Sequence, residues 1–171
     1  KATFFTLGSR VQQFPELARR GVAEGHELSN HTYNHLYFRS GLDEARYLDD
    51  ILKAQQVIRQ TTGQLPRLFR PPGGYYNDAV VHAAKLAGIN QVVIWSWHQD
   101  TKDWRNPGVD KIVSKVLNNA RNGDIVLMHD HAERTSQTVE ALKTILPELK
   151  QRGFRMVTVS ELLSYGKPVH R

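Results

Sequence analysis

The chain has 171 residues with 40% hydrophobic content, enough to bury one sizeable core, and residues 1–171 read as a single domain. It contains no cysteine, which excludes disulfides, thiolate nucleophiles and thiolate zinc sites and leaves any metal to His, Asp and Glu. The formal charge is +6, but Arg10, Arg19, Arg20, Lys53, Arg59 and Lys111 are scattered among acids, so no nucleic-acid partner is expected and an anionic wall polymer would be attracted as well.

Ala2-Thr3-Phe4-Phe5-Thr6-Leu7 is a β-prone run closed by Gly8, and Pro15 opens a helix through Ala23, because proline's fixed φ and missing N–H suit a first helical turn. A short strand at Glu27 to Asn30 leads into a His-bearing loop. Ser40-Gly41-Leu42-Asp43 resembles a helix start, and Leu48, Ile51, Leu52 and Ile58 keep helical spacing up to Gly63. Leu68-Phe69-Arg70 reads as a brief strand ended by prolines, Asn77 as the cap of a helix reaching Gly88, and Gln91 to Trp97 as the next β-rich run. Val109 to Ala120 is helical, and Gly123-Asp124 mark the entry to Ile125-Val126-Leu127-Met128, an apolar strand of the kind buried on both faces. Thr135 to Arg152 forms an amphipathic helix with a local irregularity expected at Pro147, and Arg155-Met156-Val157-Thr158-Val159 is a last strand. No stretch approaches the roughly 18 apolar residues of a membrane span, and the N-terminus lacks the charged-then-apolar pattern of an export signal.

About six strands alternating with helices predict a parallel sheet with helical crossovers, open or closed into a barrel, whose ligands bind at the C-terminal strand ends. Four of those ends are chemically loaded: His31 and His35, then Arg70-Pro71-Pro72-Gly73, then Asp100 with Asp103-Trp104, then His129-Asp130. His31 and His35 are four residues apart, a spacing that lets two imidazoles reach one divalent ion from a helical turn, although surface or capping histidines share it. His129, just after a buried strand, suits proton transfer or a structural hydrogen bond, and Asp103 is the candidate to hold it. Trp104 offers a flat apolar face of the kind sugars stack on, or a core side chain. Arg70 before two prolines is a stiffly held guanidinium or the surface arginine of a tight turn, and the Gly73 amide could face a developing oxyanion.

In this order the segments resemble the polysaccharide deacetylase family, carbohydrate esterase family four, also called the NodB-homology domain. Ala2-Thr3-Phe4-Phe5 with Gly8 resembles the family's early strand, His31-Thr32-Tyr33-Asn34-His35 its second motif, Arg70-Pro71-Pro72 its third, Asp100-Thr101-Lys102-Asp103-Trp104 its fourth and Leu127-Met128-His129 its fifth. The resemblance implies a distorted (β/α) barrel with about seven repeats in the intact domain, the first strand being missing from this chain. It also implies a metal-dependent hydrolase removing N-acetyl, or O-acetyl, groups from a polysaccharide, peptidoglycan or a chitin-like N-acetylglucosamine polymer. His31 and His35 would hold zinc, or cobalt or nickel, together with an aspartate. Gly73 would hold the oxyanion, His129 would protonate the leaving amine, Asp103 would tune it, and Arg70 would orient the base. Trp104, Leu127, Pro72 and Asp100 would line the substrate groove.

Two departures carry consequences. The family's first motif, a Thr-Phe-Asp-Asp-Gly-Pro type segment with the base and the third metal ligand, is expected upstream of Lys1, so the isolated chain is expected to need an N-terminal fragment of the same protein; Asp49-Asp50 lies inside a predicted helix and is a poor substitute. Gly73 stands where many relatives carry an aromatic residue, which should open the groove wall. The alternatives are a non-catalytic glycan-binding domain and a deacetylase of a small acetylated amine. The basic charge fits an extracellular or wall-associated bacterial protein. All of these roles require His31, His35 and His129 to face one pocket.

Overall fold

The computed structural model describes residues 1–39, 43–130 and 136–166. Its elements in chain order are β1 (Thr3–Thr6), α1 (Gly8–Gln13), α2 (Pro15–Ala23), β2 (Glu27–Asn30), α3 (Glu44–Thr62), β3 (Leu68–Phe69), α4 (Asp78–Leu86), β4 (Gln91–Val92), α5 (Val109–Leu117), α6 (Ser136–Gln151) and α7 (Val159–Tyr165). The four strands form one parallel sheet in the order β1-β2-β3-β4. The chain is therefore α/β with helical crossovers, and it divides into two compact units, residues 1–94 with 157–171 and residues 95–156.

The first unit is built around α3. Asp43 caps this helix by accepting from the Ala45 amide at 3.0 Å, and Gly63 ends it in the left-handed region at φ 74°, the conformation that glycine adopts without steric cost. Ser40-Gly41-Leu42 lie outside the described residues. Tyr47 and Ile51 of α3 pack with Phe69, Val80, Ala83, Ala84 and Ile89, while Ile58 turns to Val11, Ala18 and Leu28. Each buried Val, Leu, Ile or Phe among them contributes roughly 1.5–3 kcal/mol by leaving water. Gln55, buried among them, donates to Pro66 O at 3.0 Å and accepts from Asn30 Nδ2 at 3.0 Å, so its own amide is satisfied within the core.

In the second unit Ile112 and Val116 of α5 meet Ala141, Ile145 and Leu149 of α6, with Val126, Met128, Phe154 and Met156 against them. Pro147 lies within α6 without ending it, because the buried residues Ile145 and Leu149 on either side hold the helix through the lost hydrogen bond. Thr135, the expected start of this helix, lies outside the described residues.

Three expected elements differ. Residues 125–128 make only an isolated parallel bridge, Asp100 to Leu127, because the facing residues Trp97–Gln99 coil into a 3₁₀ turn and offer no ladder. The β-run from Gln91 stops at Val92, where its partner β3 ends at Phe69 ahead of two prolines that have no N–H to offer a ladder. Residues 155–159 form no strand: Thr158 caps α7, accepting from the Glu161 amide at 3.2 Å, and the Val159 amide donates to Thr3 Oγ1 at 2.7 Å. Gly8 begins α1 rather than merely closing β1, since a Cβ there would stand 2.9 Å from Ala54 Cα and 2.6 Å from the Tyr33 ring. It is the close approach of α1 to α3 that requires glycine.

Candidate active site

The loop after β2 carries His31 and His35, and it is fixed from four directions. The His31 amide donates to Thr6 O at 3.1 Å, and the first amides of α1, on Gly8 and Ser9, donate to Thr32 O at 3.0 Å and Tyr33 O at 3.1 Å. From α3, Asp50 Oδ2 accepts from the Tyr33 and Asn34 amides at 2.7 and 3.2 Å. Within the loop, Asn30 Oδ1 accepts from the Thr32 amide at 2.8 Å. These bonds hold Thr32 at φ 69° and His35 at φ 60°, left-handed conformations that cost of order 1–3 kcal/mol each and persist only where the surroundings overdetermine them. The loop is not the helical turn expected from the spacing. It nonetheless brings the two imidazole centroids to 5.0 Å with an interplanar angle of 62°.

That separation suits a shared ion. A tetrahedral metal about 2.0–2.1 Å from one nitrogen of each ring sets the centroids roughly 5 Å apart. His31 Nδ1 lies 2.5 Å from Arg70 O. A carbonyl only accepts, so Nδ1 carries the proton and Nε2 is the basic nitrogen, the tautomer and outer contact typical of a ligating histidine. The pair thus fits two ligands of a divalent ion. Among the described residues no group of three or more His, Cys, Asp or Glu side chains is set to hold a metal.

Arg70 follows β3, its amide bonded to Asn30 O at 3.0 Å and its guanidinium stacked on the Phe5 ring at 4.1 Å. It is a held, partly buried cation rather than a surface arginine, and burial pushes it down to about 10, leaving it charged at neutral pH. Pro71 and Pro72 have no N–H, so Gly73 is the first amide donor after Arg70. Gly73 has φ 66°, and a Cβ on it would stand 2.8 Å from Tyr37 Cε1. The space beside Gly73 is therefore filled by Tyr37 and is not the opened wall expected from the sequence. Tyr37 also meets the His35 ring, centroids 5.0 Å apart and nearly perpendicular at 85°.

The second unit holds Asp103, Trp104, Asp100, Leu127 and His129. Asp103 is 2% exposed and receives four hydrogen bonds. The His129 ring donates through Nδ1 to Oδ1 at 2.7 Å and the His129 amide to Oδ2 at 2.7 Å. The Thr138 hydroxyl donates to Oδ2 at 2.9 Å, and the Trp104 amide to Oδ1 at 3.0 Å. Burial alone would raise this carboxyl, but the bonds from the His129 ring and backbone, the His129 charge and the Thr138 hydroxyl together hold it below the usual carboxylate range. His129 is left 39% exposed through its side chain, with Nε2 the nitrogen turned from Asp103. Leu127 is 7% exposed; its amide donates to Gln99 O at 3.1 Å and its carbonyl accepts from Thr101 at 2.8 Å. Asp100 closes a turn by accepting from the Lys102 amide at 3.1 Å. The Trp104 ring is 49% exposed, with Arg105 stacked on it at 4.6 Å, so it is not a core side chain.

Sequence reasoning set Asp50 aside as a poor substitute for the base and missed its hold on the histidine loop, and it missed Thr138 and Tyr37 altogether. Only Asp50 left a signal, as an acid on the inner face of an amphipathic helix. A second His–carboxylate pair, His98 Nε2 to Asp124 Oδ2 at 3.0 Å, was also missed; Asp124 further accepts from Gln99 Nε2 at 3.0 Å and the Arg121 amide at 2.9 Å, which makes it the tie of a turn.

Residues 1–92 match the family model described as polysaccharide deacetylase. Over 165 residues the chain is 55% identical to a peptidoglycan-N-acetylglucosamine deacetylase of Bacillus cereus, covering 96% of this chain and 76% of that protein. Among solved structures it is similar to a family-four pseudoenzyme of Bacillus anthracis, with TM-score 0.84 and 34% identity over 94% of this chain and 54% of that one. It is also similar to a family-four acetyl xylan esterase of Clostridium thermocellum solved with a cobalt ion, with TM-score 0.83 and 28% identity over 95% of this chain and 77% of that one. With more than half of the sequence inside the family model and the motifs on the strand-end loops described above, the chain belongs to the polysaccharide deacetylase family.

Proposed function

We propose that the chain is the metal-dependent hydrolase part of a bacterial protein that removes N-acetyl groups from peptidoglycan, with a chitin-like N-acetylglucosamine polymer as the next candidate. The observation that carries this is the pair formed by buried Asp103 and His129, 2.7 Å apart, in a member of this family. A carboxylate held ionised against Nδ1 fixes the tautomer and stabilises the imidazolium, so that Nε2–H can give its proton to the leaving nitrogen. In the reaction a water loses one proton to the base as its oxygen bonds to the acetyl carbon, the C–N bond breaks as the amine nitrogen takes the proton from His129, and acetic acid departs and ionises to acetate, the base's proton returning to His129 through solvent. The Gly73 amide would hold the charge developing on the carbonyl oxygen.

His31 and His35 would be two ligands of the metal, zinc first, with cobalt or nickel able to replace it. Bound there, the ion would polarise the acetyl carbonyl and acidify a water. We assign the third ligand and the base to the Asp-Asp segment of the family's first motif, with Arg70 orienting that base, and Trp104, Leu127, Pro72 and Asp100 to the substrate groove. The excess of basic residues and the wall polymer named for the B. cereus relative support an extracellular or wall-associated location.

The test is acetate release from acetylated glycan oligomers by the zinc-loaded full-length protein. Activity that falls by about 10²–10⁴ in His129→Ala with metal content unchanged is expected, the usual contribution of a general acid. Full metal occupancy with no acetate from any acetylated glycan would overturn the proposal. It would favour a non-catalytic glycan-binding domain, the reading to which the likeness to a pseudoenzyme lends weight. Release from small acetylated amines alone would favour the third reading.

A further inference from the structure

Tyr37 sits two residues after His35, with its ring edge in the space that a side chain at Gly73 would need and its ring against His35. The ring is thus wedged in place by two residues assigned to the reaction. On this fixed ring lies the guanidinium of Arg39, its Cζ 5.1 Å from the centroid, within cation–π range. Arg39 is exposed and has no ion pair among the described residues. A guanidinium resting on an aromatic ring is ordered without using its N–H groups, whose planar fork matches a carboxylate bidentately. A lysine would be a mobile point charge there; arginine on tyrosine is a preorganised donor to anions.

Resting on the reading that this chain deacetylates a wall glycan, we propose that Arg39, seated on Tyr37, binds a carboxylate of the substrate and selects a carboxylated glycan over a neutral one. Peptidoglycan meets this requirement, because every second sugar bears a lactyl carboxylate or the acids of its attached peptide. A homopolymer of N-acetylglucosamine has no acid to offer. The same contact supplies direction as well as affinity, since a carboxylate on one side of the reacting sugar fixes which neighbour lies over Tyr37.

The test is binding by titration calorimetry to the zinc-loaded full-length protein, with His129→Ala as the common background wherever the ligand is turned over. Two tetrasaccharides are compared, one alternating N-acetylglucosamine with N-acetylmuramic acid and one of N-acetylglucosamine alone. Arg39→Ala is expected to weaken the carboxylated ligand about tenfold, the size of one charge-assisted hydrogen-bonded contact, and to leave the neutral ligand within about twofold. Arg39→Lys should fall between, and Tyr37→Leu, which removes the seat, should repeat the Arg39→Ala result with metal content unchanged. Equal losses for both ligands, no loss for either, or wild-type protein that prefers the neutral tetramer or binds neither would overturn the proposal. Selective binding without acetate release would leave it standing and would overturn the catalytic reading instead.

Discussion

At the scale of single residues, Asp103 has the most to lose. It is 2% exposed and satisfied by donors from residues 104, 129 and 138, so Asp103→Asn, in either orientation, turns an N–H towards a backbone amide that can only donate, that of Trp104 or of His129, and removes the charge behind the imidazolium. We expect about 2 kcal/mol of lost stability by chemical denaturation, the range for charge-assisted hydrogen bonds, and a drop in acetate release of about 10²–10⁴. The carboxyl is held below its ordinary value of 3.8, so its stabilising contribution is complete above that value and is lost as pH falls through the lower folded value. Acid denaturation of Asp103→Asn should therefore lack this component, which a comparison of unfolding free energy between pH 5 and pH 2 would reveal. The dyad partners could be named from sequence because a polar pair at two strand ends is visible there. Thr138 could not, since nothing in an amphipathic helix marks which threonine will turn inward 35 residues from its acceptor.

At the scale of elements, α3 was readable because its signals are local: an Asp cap, apolar residues at helical spacing and a glycine stop. The runs at 125–128 and 155–159 misled because a strand exists only if a neighbour offers a ladder, and the 3₁₀ turn at Trp97–Gln99 and the Thr158 cap are decided by partners far off in sequence. The same limit hid the second task of α3. Asp50 accepts two amides of the histidine loop, so the helix that fills the core also sets the loop. Asp50→Ala should lower zinc affinity about tenfold, as losses of outer contacts at metal sites do, measured by competition with a chromophoric chelator. Helix content by circular dichroism should stay unchanged, because Asp50 lies in the middle of α3 and caps neither end.

At the scale of the whole molecule, the α/β parallel architecture followed from alternation alone, and no helix among the described residues is long and apolar enough to cross a membrane. His31, a proposed ligand, is tied into the sheet through Thr6 O and Arg70 O, so metal binding at this loop would draw on folded structure. Stripping the ion with a chelator should lower the thermal midpoint, by an amount equivalent to about 2.7 kcal/mol if free zinc had been a hundredfold above its dissociation constant. Scanning calorimetry with and without re-added zinc checks this, and the midpoint should recover.

The fit of Tyr37 against Gly73 also governs how this protein can change. A β-carbon at position 73 requires the tyrosine ring to move aside, and the positive φ of 66° disfavours it even then. Two-step histories through these sites are eased when the tyrosine changes first, because a side chain at 73 otherwise has to displace its ring.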